Sequence, residues 1–386
     1  MRPVQYTAHN DIILLETGLA YFPALLGAID AAQYDIYFET YIFADDAVGR
    51  SVEQALIRAG QRGVRVRVVT DWWGTKHRNA ARLGMDFAEG NVRFRVFNAW
   101  FKRGVARTHR KIAVIDREVA FVGGINTNDD WYCDYDPEKR LDAPRWDFAV
   151  QVKGPLVATI HHEMQTQWAR VGHLGFKKRV DLFREMRKLL PPQGDKPMQA
   201  AFVVRDSLRN RHTIQRAYLH AIGHARHSVL LVNPYFAPGH KFRKALAVAA
   251  ERGVDVKLLI GVGEIKLQDM VARSFYPKLI ASGVKVYEYR KTQLHAKVAV
   301  VDEDWSTVGS SNCDGLSLFL NQEANVVIKD ADFAATMREH IQRGMADGTP
   351  ICAEDFEHVG WVRRAGYEVA YFCYKMVMRV FAIGYA

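Results

Sequence analysis

Cysteine is scarce in this sequence, and several common site motifs are missing. The four cysteines, Cys133, Cys313, Cys352 and Cys373, show neither disulfide-framework nor metal-ligand spacing, so structural thiols in a reducing compartment are expected. No Gly-x4-Gly-Lys-Ser/Thr loop occurs, which argues against nucleotide-driven chemistry. His161–Glu163 lacks the His-Glu-x-x-His spacing that puts two metal ligands on one helical face, so a packing or surface role is expected there.

Long apolar runs are also missing at both ends of the chain. Near the N-terminus only Ile12 to Leu15 is continuously apolar, too short for a signal-peptide core or a membrane span, so a soluble catalytic body is expected. Near the C-terminus, charges interrupt the stretch 361–386, with Arg364 and Arg379 on one helical stripe. A helix lying in the membrane interface is favoured, and a helix docked on the core is the alternative.

Acidic residues are fewer than basic ones, 43 against 53, so the formal net charge is +10 and the pI is about 9.3. Such a charge predicts a polyanionic partner, either nucleic acid or an anionic membrane surface. The stretch Asn98 to Arg103 mixes aromatic and basic residues on a predicted loop. It suits a rim that contacts lipid, although nucleic acid or simple packing would also fit.

One stretch of the chain occurs twice. HRKIAVIDREVAFVGGIN, from His109 to Asn126, is repeated in the same spacing as HAKVAVVDEDWSTVGSSN, from His295 to Asn312. A single His-x-Lys-x4-Asp match would be weak, but two copies that also share a downstream glycine and asparagine are not accidental. The repeated residues are His109, Lys111, Asp116, Gly123 and Asn126, and then His295, Lys297, Asp302, Gly309 and Asn312.

Each copy predicts a β-hairpin whose first strand is buried on both faces, because the run after the histidine is apolar and β-branched. Histidine and lysine then share one face where the strand begins. Glycine lets the returning strand pass close to a bound group. Upstream, helices and strands alternate, as in Tyr21–Ala32 and Asp35–Phe43, which predicts α/β domains with parallel or mixed sheets.

The second half repeats the plan of the first, so we predict two related domains. Two prolines and a glycine in residues 191–197 cannot continue the preceding helix, and this segment is the predicted linker. The predicted domains are residues 1–190 and 198–350, followed by an amphipathic, membrane-associating tail of residues 351–386.

A lysine repeated beside a histidine at a buried strand end needs an anionic partner. If that partner is a phosphodiester, displacement at its phosphorus needs a nucleophile, a proton donor for the leaving alcohol, and cations for the remaining phosphate oxygens. Two facing hairpins would supply His109 and His295 on opposite sides of one phosphate, with Lys111 and Lys297 around its oxygens. Asn126 and Asn312 would complete the phosphate site. No metal or other cofactor is needed for this chemistry.

These motifs resemble the signature of the phospholipase D superfamily, and within it the bacterial cardiolipin synthases, in particular the B type without N-terminal membrane helices. The resemblance covers nearly the whole chain. It implies two pseudo-symmetric α/β/α sandwich domains with mixed sheets. It also implies that His109 is the nucleophile, forming a phosphohistidine, and that His295 acts first as acid and then as base.

The resemblance further suggests carboxylates that orient the imidazoles, namely those following each motif: Asp147 in RWDFAV and Glu323 in NQEANV. Asp116 and Asp302 belong to the family signature and are expected to tie each hairpin turn to neighbouring backbone or cations. Glu39 falls where the second half has Asn233, so chemically unequal halves are expected.

The resemblance implies, as the favoured function, transfer of a phosphatidyl group between two phosphatidylglycerol molecules, giving cardiolipin and glycerol at the bacterial cytoplasmic membrane. Peripheral attachment to an anionic membrane surface, with no nucleic-acid partner, accompanies this interpretation. The alternative is a metal-independent nuclease or phosphodiesterase that uses the same histidines.

Overall fold

The computed structural model describes residues 4–134, 136–172, 198–206, 210–357 and 359–381. The chain divides into two compact units, one formed by Met1–Asp130 with Ala149–Phe202 and the other by Trp131–Phe148 with Val203–Ala386. The predicted linker, residues 191–197, lies outside the described residues.

The first unit alternates helices and strands, as its apolar periodicity predicts. The predicted helix Tyr21 to Ala32 and strand Asp35 to Phe43 are present with slightly different ends. The elements are β1 (Asp11–Glu16), α1 (Thr17–Ala31), β2 (Asp35–Thr40), α2 (Ala47–Gln61), β3 (Arg65–Asp71), α3 (His77–Glu89), β4 (Arg93–Phe97), a 3-10 turn (Ala99–Phe101), β5 (Lys102–Val105), β6 (Lys111–Ile115), β7 (Val119–Gly123), β8 (Phe148–Lys153) and α4 (Leu156–Val171).

Within the described residues, seven strands form the first sheet in the order β1-β8-β7-β6-β2-β3-β4. β2, β3 and β4 run parallel, whereas β6 is antiparallel to both β2 and β7. The sheet is therefore mixed, because the hairpin β6–β7 joins the edge of a parallel βαβ arrangement.

Alternation along β2 places its side chains on two differently covered faces. Ile36 and Phe38 belong to the apolar core shared with α1 and α2. Tyr37 points the other way and meets His161 of α4 edge-on, with ring centroids 5.2 Å apart. Glu39 shares that second face, so its carboxylate is buried beneath α4 rather than among apolar helices.

The second unit repeats this order with additions. Its elements are β9 (Gln199–Arg205), α5 (Thr213–His224), β10 (Ser228–Asn233), β11 (Phe236–Ala237), α6 (His240–Glu251), β12 (Asp255–Gly261), α7 (Lys266–Arg273), α8 (Tyr276–Ala281), β13 (Lys285–Tyr289), β14 (Val298–Val301), β15 (Trp305–Gly309), β16 (Cys313–Asp314), α9 (Gly315–Phe319), β17 (Glu323–Lys329), α10 (Ala331–Ala346), β18 (Thr349–Ile351), α11 (Glu354–Glu357) and α12 (Trp361–Phe381).

The second sheet, as far as the structure describes it, has the strand order β18-β13-β12-β10-β14-β15-β17-β9. Its parallel run β10-β12-β13 and antiparallel hairpin β14–β15 repeat the run β2-β3-β4 and hairpin β6–β7. The chain is thus an α/β protein of two pseudo-symmetric units with mixed sheets, as predicted.

α12, the predicted tail helix, has three distinct stripes. One stripe packs on the second unit: Tyr367, Ala370 and Met378 are buried, and the Tyr371 ring meets Phe275 edge-on at 4.9 Å between centroids. A charged stripe and an exposed apolar stripe cover the rest of its surface. One stripe of this helix is therefore docked on the core, which was the alternative, and the membrane-interface helix stays a prediction. None of the helices that the structure describes is long and apolar enough to cross a membrane.

Candidate active site

His109 lies two residues before β6 begins and is buried against an aromatic ring. Its side chain meets that of Tyr41 edge-on, with ring centroids 4.9 Å apart, and the residue is 9% exposed. Lys111, the first residue of β6, donates from Nζ to the backbone oxygen of His109 at 2.6 Å. The same ammonium lies 5.3 Å from the centroid of the Tyr41 ring. The first copy of the motif therefore brings its imidazole and its cation to one place.

A buried ion pair fixes the residues on either side of His109. The Glu39 carboxylate accepts a hydrogen bond from the Thr108 hydroxyl and forms an ion pair with Arg110 at 3.0 Å. The Glu39 and Arg110 side chains are 0% and 1% exposed. Arg110 also binds Glu163 of α4 at 3.0 Å. Glu39 thus contacts the residues before and after His109. A buried ion pair whose polar atoms all have partners is rigid, so this pair holds the backbone on both sides of His109.

In the second copy, a carboxylate orients the histidine. Nδ1 of His295 lies 2.6 Å from Oδ2 of Asp147, with both side chains buried. The short contact assigns the Nδ1 proton to this hydrogen bond and leaves Nε2 as the nitrogen that can exchange a proton with a substrate. Lys297 donates to the backbone oxygen of His295, just as Lys111 does to His109.

Lys297 is a fully buried cation held among carboxylates. Burial lowers the pKa of Lys297 to about 8, although the negative charges of Asp147, Asp134 and Glu323 oppose this shift. Its Nζ lies 4.0 Å from Oδ2 of Asp147. At neutral pH the ammonium form therefore predominates, and it could hold an anionic oxygen.

The structure shows which histidine Asp147 contacts. Asp147 follows the first motif in sequence, yet it hydrogen-bonds to the histidine of the second. The segment Trp131–Phe148 belongs to the second unit, where the backbone of Trp146 accepts the N–H of His295 at 2.9 Å. This backbone pairing carries the neighbouring Asp147 to the imidazole.

The other supporting residues lie close to the motifs. Oδ1 of Asn126 accepts the N–H of Ile42 at 3.3 Å. Oδ1 of Asn312 is buried and has no hydrogen-bond partner in the part of the chain that the structure describes. Glu323 is 0% exposed and accepts the Ser310 hydroxyl at 2.5 Å. The Asn312 oxygen is therefore an acceptor to which a donor group of a ligand or a water molecule can bind.

Asp116 and Asp302 have the structural role expected of them. Asp116 accepts the N–H groups of Gln33, Tyr34 and Asp35 at 2.7 to 2.8 Å, at the start of β2. Asp302 does the same for residues 226–228 at the start of β10, at 2.8 to 3.0 Å. Burial raises the pKa of Asp302, but these backbone hydrogen bonds outweigh it and the net shift is downward. Each aspartate ties its hairpin turn to the adjacent strand.

These same hydrogen bonds show that the proposed match of Glu39 with Asn233 is wrong. Glu39 lies opposite Ile112, the residue after Lys111, and its equivalent in the second sheet is Val232, which lies opposite Val298. Asn233 is one place further on, where its Oδ1 accepts the N–H of Cys313 at 2.9 Å. The halves are unequal for a different reason: Glu39 and Arg110 are replaced by apolar Val232 and Ala296.

The role predicted for the repeated glycine also changes. A Cβ atom on Gly309 would lie 2.3 Å from Cγ of Asn325 and 2.5 Å from the backbone oxygen of Ala324. Neighbouring strand β17, rather than a bound group, therefore requires glycine at this position.

His161–Glu163 has the packing role that the sequence predicts. His161 packs on Tyr37, and burial lowers the pKa of its imidazole to about 4. Glu163 binds Arg110. Among the described residues, no group of three or more His, Cys, Asp or Glu side chains could hold a metal ion.

Two residues near His295 were missed from the sequence. Asp134 and Arg145 form a buried ion pair at 3.0 Å, and Oδ2 of Asp134 lies 4.0 Å from Nε2 of His295. Arg145 directly precedes Trp146 and Asp147 in the stretch RWDFAV. The sequence signal that could have indicated them is their position in the same segment as Asp147, which was already a predicted site residue.

Comparison with known proteins gives consistent results. Residues 25–142 and 218–345 match the protein-family model described as "Cardiolipin synthase, PLD-like domain". The chain is 40% identical to cardiolipin synthase B of Salmonella typhimurium over 341 residues, covering 86% of this chain and 80% of that protein. It is 38% identical to cardiolipin synthase B of Escherichia coli K12 over 341 residues, covering 86% and 79%.

A solved structure supports the fold. The crystal structure of phosphatidylserine synthase from Haemophilus influenzae Rd KW20 superposes with a TM-score of 0.70 at 12% identity, covering 96% of this chain and 95% of that one. At this identity the likeness concerns the fold of the whole chain rather than its substrate.

Proposed function

Because the chain belongs to the cardiolipin synthase family of phospholipase D-like proteins, we propose that it joins two phosphatidylglycerol molecules into cardiolipin and releases glycerol. The observation that carries this proposal is the complete pair of motifs, in which His295 is already oriented by Asp147 at 2.6 Å. A phospholipid-modifying transferase needs such paired groups, because one phosphodiester is exchanged for another through displacement at phosphorus.

The proposed first step uses His109 as the nucleophile. Its imidazole nitrogen forms a bond to phosphorus of the donor lipid, while the bond from phosphorus to the glycerol oxygen breaks. His295, protonated on Nε2, gives its proton to that oxygen and becomes neutral. Lys111 and Lys297 would stabilise the charge on the remaining phosphate oxygens.

The second step reverses these roles. Nε2 of His295 takes the proton of the primary hydroxyl of a second phosphatidylglycerol, and that oxygen attacks phosphorus as the bond to His109 breaks. The products are cardiolipin and the free imidazole of His109. Neither step consumes a nucleotide, since one phosphodiester replaces another of similar energy.

We predict that purified protein will convert phosphatidylglycerol vesicles into cardiolipin and glycerol in the presence of excess EDTA and without nucleotide. Thin-layer chromatography of the lipids and an enzymatic glycerol assay would follow the two products. Protein with both His109→Ala and His295→Ala is the control and should form neither. Untouched lipid together with degradation of single-stranded DNA would favour a nuclease instead.

An aromatic and basic rim near His109 supports a lipid substrate. Asp71, at the end of β3, accepts hydrogen bonds from the backbone N–H groups of Trp73 and Thr108, each at 2.9 Å. It thereby connects Trp73, a residue of this rim, to the residue before His109. Trp73 and Trp100 are 57% and 74% exposed, and the Arg107 guanidinium lies 5.1 Å from the Trp73 ring centroid. Exposed tryptophan beside arginine is typical of a surface at the headgroup level of a bilayer.

α12 offers a second membrane-binding surface, on the second unit. Its exposed apolar stripe includes Val369, Phe372, Met376 and Val380, which are 46% to 72% exposed. Basic side chains, among them Arg379, flank it. We therefore propose that the residue 351–386 region attaches the protein peripherally to the anionic surface of the bacterial cytoplasmic membrane.

We predict that Phe372→Gln with Val380→Gln will weaken binding to phosphatidylglycerol vesicles by about ten-fold or more, because two apolar side chains no longer enter the bilayer. Co-sedimentation measures binding, and thermal melting should change little because both positions are exposed. Leu19→Gln, which alters a 64% exposed leucine of α1, is the matched control. Equal binding by all three proteins would rule out this surface.

A further inference from the structure

The Asp134 carboxylate lies near Nε2 of His295, the ring nitrogen that does not bind Asp147. Nδ1 of the imidazole is occupied by Asp147 at 2.6 Å, and Oδ2 of Asp134 lies 4.0 Å from the opposite nitrogen, Nε2. This distance is too long for a hydrogen bond. The carboxylate of Asp134 therefore lies beside the ring nitrogen that, in the proposed function, exchanges a proton with the substrate.

The Asp134 carboxylate is held rigidly in this position. Its side chain is 6% exposed and pairs with Arg145 at 3.0 Å, while its backbone N–H donates to Oε1 of Gln293 at 3.2 Å. Nε of Arg145 donates to the same Gln293 oxygen at 3.2 Å, and its NH2 group donates to the backbone oxygen of Tyr132 at 2.7 Å. A site held by such a buried network is already organised before substrate binds.

The chemistry of a carboxylate limits what Asp134 could recognise. An ionised carboxylate only accepts hydrogen bonds, and a phosphodiester likewise offers only acceptors and a negative charge. Of the groups on such a substrate, only a hydroxyl of the alcohol can donate a hydrogen bond to Asp134. Neighbouring hydroxyls of a glycerol headgroup are close enough for one to meet Nε2 and the other to meet Oδ2.

Resting on the proposed function, we propose that Asp134 binds the secondary hydroxyl of a glycerol headgroup whose primary hydroxyl exchanges its proton with His295. The same contact serves glycerol as it leaves and the phosphatidylglycerol headgroup as it attacks. Asp134 is thus a specificity residue, which makes a 1,2-diol a better acceptor than a simple alcohol or water.

The test is a competition between two alcohols of equal carbon number. Phosphatidylglycerol vesicles are incubated with equal concentrations of deuterated glycerol and propan-1-ol, and mass spectrometry measures labelled phosphatidylglycerol against phosphatidylpropanol. We expect the unaltered protein to transfer the phosphatidyl group to glycerol about ten-fold or more faster than to propan-1-ol. This ratio corresponds to the free energy of one hydrogen bond to a charged group. In Asp134→Ala this preference should fall to roughly equal use, with propan-1-ol transfer reduced less than glycerol transfer.

Two further variants complete the test. Asp134→Asn keeps an oxygen acceptor and a partner for Arg145, so it should fold and retain part of the preference. Asp136→Asn, at an exposed carboxylate of the same segment, should behave as the unaltered protein does. Equal slowing of both alcohols in the Asp134 variants, or no glycerol preference in the unaltered protein, would overturn the proposal. A protein that transfers to neither alcohol and makes no cardiolipin would instead refute the proposed function.

Discussion

Incubation of His295→Ala with a p-nitrophenyl phosphatidyl ester should leave a stable added mass on the protein, whereas His109→Ala should gain none. p-Nitrophenol is a good leaving group and scarcely needs an acid, so His109 can still attack phosphorus when His295 is missing. The adduct then persists because no base activates the acceptor. Intact-mass spectrometry measures the added phosphatidyl group directly.

Controls on this experiment separate covalent catalysis from nonspecific labelling. His224→Ala, which removes an exposed histidine of α5, should turn over the ester without accumulating an adduct. With phosphatidylglycerol itself, each of the two site variants should form cardiolipin about 10³-fold more slowly. The reverse labelling pattern would exchange the roles of the two histidines, and labelling of neither would argue against a covalent intermediate.

The features of the site that follow from local spacing were predictable from the sequence. The His-x-Lys spacing puts both side chains on one face at the start of a strand, because strand residues alternate. The aspartate five residues after the lysine reaches the turn and the backbone of the adjacent strand, as in the three hydrogen bonds of Asp116. Both copies obey the same local geometry, so the repeat predicted two related units.

Features that depend on long-range pairing were not predictable in the same way. The partner of Asp147 depends on a segment, Trp131–Phe148, that leaves the first unit and pairs its backbone with residues next to His295. Neither apolar periodicity nor the order of motifs indicates that this segment belongs to the second unit. The ion pair of Asp134 with Arg145 lies in the same segment and was missed for the same reason.

The mismatch of Glu39 with Asn233 has a related cause. Strand register is set by cross-strand hydrogen bonds, and an error of one residue exchanges the two faces of a strand. The contacts of Asp116 and Asp302 fix the register and place Val232 opposite Val298 as Glu39 lies opposite Ile112. Val232 and Ala296 are each 0% exposed, so the second unit accommodates apolar residues where the first has an ion pair.

Arg110→Met should lower the free energy of unfolding by about 3 to 5 kcal/mol, because it leaves the buried Glu39 carboxylate without its guanidinium partner. Adding Glu39→Val, the residue type found at Val232, should recover more than half of that loss, since the buried Glu39 carboxylate is gone and Glu163 still pairs with Arg170 at 3.6 Å. Urea unfolding followed by tryptophan fluorescence gives both values. Arg58→Met, which breaks an ion pair with Asp30 whose side chains are 50% and 46% exposed, is the matched control and should cost less than about 1 kcal/mol. If the double variant is no more stable than Arg110→Met, the destabilisation comes from lost packing of the arginine stem and not from the stranded charge.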